Sequence, residues 1–228
     1  MSVEEMDEDF KYFFHDKGFG PAIHTEPVSA SEIKNYSGKL PDQLLRYWDL
    51  YGWSGYAEGM FWTVNPAHYE PVVQAWLAGT GFLDEEDHHA IARGAFGEIY
   101  LWGEKSGQNL TISAPQSMIF PRDQREKIKA GKGDFLVRMF FSNRDKKKID
   151  EKDFLEQPLF DRAAEKLGPL APDEMYGFQP ALALGGQADL KFLHKVKAIE
   201  HLVLLAQLHP PRIMTDIVAL AKEKGLMK

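Results

Sequence analysis

Apolar residues recur at helical spacing over residues 41–51, where Leu44, Leu45, Trp48 and Tyr51 fall three or four positions apart. Pro41 stands where a helix needs no N–H, and Gly52 is placed to end the turn. The same logic predicts a helix from Pro66 to about Leu77. Asn65 is its cap, and Tyr69, Val72, Val73, Trp76 and Leu77 form its apolar face. A shorter helix, without a capping residue, is predicted over 10–14 and is stopped by Gly18-Phe19-Gly20-Pro21. Residues 21–40 read as loop with one helical turn. Gly55 and Gly59 mark a turn, and residues 60–64 read as a strand. Alternation over 95–103, with short runs at 109–113 and 116–120, predicts an antiparallel meander.

Residues 122–133 are polar and charged and end in two glycines, which places a linker there. Beyond it, Asp134 is placed to cap a helix over 134–142, and a second helix is predicted over 154–168. Residues 175–184 read as strand, held to an edge or bulge by Pro180. The strongly apolar 188–208 stretch and a last helix over 214–224 complete the chain. The expected fold is α+β: a small antiparallel sheet packed against several helices in two closely packed subdomains, 1–121 and 134–228.

The chain has 228 residues, 44% of them hydrophobic and none of them cysteine. That is enough apolar content for a core without disulfide or thiolate help. The net charge of −7 is unevenly spread: −11 over residues 1–100, +6 over 101–148 and −2 over the rest. An acidic first half repels phosphate backbones and favours a basic partner. The N-terminus lacks the basic and apolar regions of a secretory signal, and no apolar run reaches membrane-spanning length. The expectation is a cytoplasmic protein with no membrane partner and no direct nucleic-acid partner.

The motifs of common chemistries are missing. No Gly-x-Ser-x-Gly elbow, His-Glu-x-x-His pair or Walker loop occurs, and Gly18-Phe19-Gly20 and Gly131-Lys132-Gly133 read as loops. The cluster Asp84-Glu85-Glu86-Asp87-His88-His89 leaves three readings open: a divalent-metal site, an acidic surface that meets a basic partner, and, favoured over both, a solvated acidic loop or first helical turn. Among the aromatics between Tyr47 and Trp62, Trp53 and Tyr56 lie beside glycines and are expected at the surface, where such residues anchor protein interfaces.

Two stretches resemble known families. KLPDQLLRYWDLYGWSGYAEGMFWTVNPAHYEPVVQAWL resembles the GAD-like domain. EMYGFQPALALGG followed by KVKAIEHLVLLAQL resembles the C-terminal domain of type VI secretion DNase immunity proteins. The helix-then-aromatic-strand opening is also similar to the broader Smi1/Knr4-type immunity superfamily. The resemblance implies a non-catalytic protein without cofactor or metal that binds a cognate nuclease toxin in the producing cell. The charge distribution adds the expected contact residues: Trp53, Tyr56, Glu58, Asp84, Glu85, Glu86 and Asp87. The alternatives are a regulatory scaffold of the Smi1/Knr4 type and a metal-dependent hydrolase using residues 84–89.

Overall fold

The computed structural model of the protein describes residues 6–216 and Leu220. Its first helix, α1 (Glu8–Lys11), does have a cap: Asp7 accepts from Phe10 N at 2.9 Å. The chain continues as a π-helical turn over Tyr12–Asp16. The expected loop at 21–40 holds a strand, β1 (Ile23–Glu26), and a two-turn helix, α2 (Ala30–Tyr36). A reciprocal capping box between Ser29 and Glu32 starts α2. The helix α3 (Asp42–Tyr51) follows with Gly52 at its C-cap, at φ +62°.

The turn expected around Gly55 is instead a strand, β2 (Trp53–Tyr56), hairpinned through residues 57–60 to β3 (Phe61–Thr63). Gly55 serves packing, because a Cβ there would stand 2.9 Å from both Ile23 and the Trp62 ring. The helix α4 (Pro66–Leu77) starts as expected, with Asn65 accepting from Ala67 N. A short α5 (Phe82–Glu85) leads into β4 (His88–Gly94), a strand hidden in the sequence behind the polar 84–89 cluster. The meander then appears as β5 (Glu98–Gly103), β6 (Gly107–Ser113) and β7 (Met118–Pro121).

In the second half, the charged 122–133 stretch carries α6 (Arg125–Lys129), and Gln124 before it is buried. Next come α7 (Gly133–Ser142), α8 (Lys146–Ile149) and α9 (Phe160–Leu167). The last of these begins later than the sequence indicates, and Phe154 and Leu155 are exposed before it. The strand β8 (Glu174–Phe178) ends ahead of Pro180. The apolar 188–208 stretch is divided: Leu190–Phe192 is a 3-10 turn, Leu193–Lys197 is a strand, β9, paired with β8, and Ala198–Leu208 is the α-helix α10. No side chain caps α10, so the sequence gives no local sign of the change. A final short strand, β10 (Arg212–Ile213), precedes Met214–Asp216, which is not helical; the remainder of the helix expected over 214–224 lies outside the described residues, Leu220 apart.

The α+β class holds, with a larger sheet than expected. Eight strands run in the order β1-β2-β3-β4-β5-β6-β7-β10, antiparallel throughout except for the parallel β7–β10 pair, and β8–β9 forms a separate hairpin. One hydrophobic core spans both halves. Phe10 stacks on Tyr51 at 4.3 Å and meets Phe141 of α7 at 5.4 Å. Trp76 Nε1 on α4 donates to Leu202 O on α10 at 3.0 Å. Arg93 on β4 is fully buried; it donates to Pro172 O at 2.8 Å and to Glu174 O at 2.9 Å, with its guanidinium over Trp62. Asp134 does not serve its own helix as expected. Its carboxylate accepts from Gln43 N at 2.9 Å in the first turn of α3. Among the described residues no helix is long and apolar enough to cross a membrane.

Candidate functional site

The expected contact residues separate into buried and exposed groups. Trp53 and Tyr56 are not at the surface: at 4% and 1% exposure they belong to the core. Their strand lies between β1 and β3, with Trp53 edge-on to Trp48 and Tyr56 among Phe10, Phe13 and Phe61. Glu86 is also buried, and its carboxylate accepts from Lys105 N, Ser106 N and Ser106 Oγ, so that it fastens the β5–β6 turn. Asp84, Glu85 and Asp87 are exposed, and Glu85 forms an ion pair with Arg125.

His88 is likewise structural. Asn109 Nδ2 lies 3.0 Å from its Nε2, and its Nδ1 is 3.1 Å from Glu86 O. An amide donor facing Nε2 leaves Nδ1 to carry the proton, which is the neutral imidazole, and burial holds its pKa below the usual histidine value. Among the described residues no group of three or more His, Asp or Glu side chains is arranged to hold a metal ion.

Glu58 is exposed and lies far from that acidic segment. The β2–β3 hairpin meets the C-terminal end of β4, where Ala95 N donates to Met60 O, whereas residues 84–87 precede its N-terminal end. Ala57 and Glu58 both hold positive φ, +48° and +58°, and Ala57 N donates to Phe19 O at 2.6 Å. Two consecutive non-glycine residues in the left-handed region store backbone strain, a feature concentrated at functional sites.

This strained hairpin forms one wall of a cleft of about 580 Å³. Gly18, Gly20 and Pro21 extend that wall. Lys146 and Lys147 of α8, Asp150, Lys152 and the start of α9 form the opposite one. The Lys146 ammonium sits 5.9 Å from the Phe19 ring centre. Asp150 accepts from Phe160 N at 3.0 Å and Leu159 N at 3.3 Å, satisfying amides at the start of α9. Burial pushes its carboxyl up to about 6, against the pull of those two amides. Among the described residues no histidine, serine or threonine lines the cleft. Its carboxylates, ammonium groups and apolar floor of Met60 and Phe160 are suited to receiving a polar segment of another molecule.

The cleft divides along a boundary that the comparisons with known proteins make visible. Residues 10–116 match the family model of the GAD-like domain, and residues 134–209 match that of the T6SS immunity protein Tdi1, C-terminal. The two matches lie on either side of residues 117–133. One wall of the cleft is therefore GAD-like and the other Tdi1-type. The crystal structure of Atu4351 from Agrobacterium tumefaciens shares the fold, with a TM-score of 0.79 over 91% of each chain at 23% sequence identity. No curated protein sequence matches the chain. Sequence reasoning missed Lys146, Lys147, Asp150, Lys152 and Asp161, all on the Tdi1-type wall. The available signal was the Lys146-Lys147-Lys148 run after α7, which reads as mere basic content until the fold sets part of it opposite Glu58.

Proposed function

We propose that the protein binds and neutralises a cognate nuclease toxin of a type VI secretion system, inside the cell that makes the toxin, and that it does so by contact and not by catalysis. The observation that carries this reading is the Tdi1-type immunity match over residues 134–209. Charge supports the nuclease as target. Enzymes that grip DNA present basic surfaces to phosphates, and an acidic protein meets such a surface quickly through electrostatic steering. The first hundred residues carry −11, with Glu58, Asp84, Glu85 and Asp87 of that set exposed.

Glu58 in the cleft and the acids at 84–87 are separate candidate contacts. The test is co-expression with a nuclease toxin from a neighbouring gene as the candidate partner, followed by association kinetics on the purified pair. Rescue of growth and a stable complex are expected. Glu58→Lys or the pair Asp84→Lys with Asp87→Lys is expected to slow association about tenfold at low salt, with the difference shrinking as ionic strength rises. Death of cells that contain intact, folded protein would overturn the reading.

A further inference from the structure

We propose a second docking site on this protein, a basic groove between β6 and α7 that takes a short, extended acidic segment of a partner protein. Two adjoining cavities, of about 410 and 270 Å³, share Gln108, Arg122, Asn143 and Arg144 and together make the groove. It is separate from the cleft at Glu58, with which it has no lining residue in common. It collects Arg122, Arg144 and Lys148 of the +6 stretch, whereas Lys146 and Lys147 of that stretch line the cleft at Glu58.

Lys127 and three further cations, Arg122, Arg144 and Lys148, line it. Among the described residues none of the three has a carboxylate within ion-pair distance, although eight other Lys and Arg side chains do. Arg144 is held in place from behind. Its Nε donates to Phe140 O at 2.9 Å, and its guanidinium stacks 4.7 Å from the Tyr100 ring centre and 4.5 Å from that of Phe140. A guanidinium fixed in this way loses little freedom when it takes a carboxylate.

The acids in the same walls already have partners. Asp145 accepts from Lys147 N, Asp216 accepts from Asp123 N, and Glu98 accepts from the Tyr100 hydroxyl. Two large apolar side chains lie exposed along the groove, Phe120 at 42% and Phe135 at 45%. Arg144 also acts at longer range on partly buried Glu98, while Arg122 and Lys148 lie at exposed positions; together with the hydrogen-bonded acids and the exposed rings they fit a ligand that alternates carboxylates with an apolar side chain.

A nucleic acid carries phosphates too, but the molecule as a whole disfavours it. A long polyanion feels the net charge of −7, while a short peptide samples only the local field, within a screening length of about 8 Å at physiological salt. The proposal does not depend on the toxin reading.

The experiment uses the full chain and a fluorescein-labelled pentapeptide, Glu-Glu-Phe-Glu-Glu, titrated by fluorescence anisotropy. Its Gln-for-Glu counterpart and a ten-nucleotide oligothymidine serve as comparison probes. Saturable, salt-sensitive binding of the acidic peptide is expected, with the Gln peptide at least tenfold weaker. Arg122→Glu with Lys148→Glu, both at exposed positions, is expected to cut the affinity at least tenfold without moving the melting temperature. Lys34→Glu with Lys39→Glu gives the same net charge away from the groove and is expected to leave affinity within about twofold. Absence of peptide binding, equal binding of the Gln peptide, equal losses in the two double variants, or tighter binding of oligothymidine would each overturn the proposal.

Discussion

Asp150 shows how one residue ties the cleft to pH. Its carboxyl titrates near 6 in the folded chain and near 3.8 when free. Between those values the native state keeps a proton that the unfolded chain has released, so this residue's contribution to stability falls as pH rises from about 4 to 6 and then levels off. Asn in its place presents an amide oxygen to Leu159 N and Phe160 N but does not ionise. The stability advantage of Asp150→Asn over the parent is therefore expected to grow across pH 4–6 and to be constant above it. Thermal melts of the two proteins at matched ionic strength check this, and a difference independent of pH would contradict it. The change also removes one negative charge from the cleft wall that carries Lys146 and Lys147. Steering of a basic partner at pH 7 should weaken accordingly, even as stability improves.

At the scale of elements, what the sequence reveals is set by how local the determining contact is. The helices α3 and α4 are legible because each carries its own start, its own periodicity and its own stop within a dozen residues. The strands β2 and β4 are not, since their stability lies in neighbours distant in sequence: Gly55 exists to admit Trp62, and His88 sits within a strand because Asn109 meets its ring. Asp134 misleads for the same reason, capping a helix more than ninety residues upstream. Of the candidate contacts, the exposed acids were legible from charge alone. The burial of Trp53 and Tyr56 was not, because a glycine neighbour looks the same in a turn and in a crowded strand; nor was that of Glu86, whose partners Lys105 and Ser106 are distant in sequence.

Arg93 links elements distant in sequence. It joins β4 to Pro172 and to Glu174 at the start of β8 through two carbonyls. Methionine there fills much of the volume but leaves Pro172 O and Glu174 O without a donor. Arg93→Met is expected to cost about 3 kcal/mol, and hence roughly 6–12 °C in melting temperature, with the fold otherwise retained. A loss under about 1 kcal/mol by denaturant titration would show that water replaces both bonds.

For the whole molecule, the single core has a direct consequence for dissection. A fragment of residues 1–121 loses Phe140, Phe141 and Leu202 from around its own aromatic side chains, together with the acceptor for Trp76. The 134–228 fragment loses Arg93, which holds the segment before β8. Each fragment expressed alone is expected to be poorly folded and to expose apolar surface, with native-like circular dichroism recovered when the two are co-expressed. Independent cooperative melting of both fragments would refute this.

The seam that runs through the cleft also bears on how such a chain can change over generations. A site built within one half can be exchanged by recombination as a cassette, arriving with its specificity complete. Here the two walls are encoded on different stretches of the gene, so, with the cleft as the proposed contact, a crossover between them would unite a hairpin from one parent with lysines from another. Under that proposal, new specificity is reached by paired, stepwise replacement on both sides of the seam.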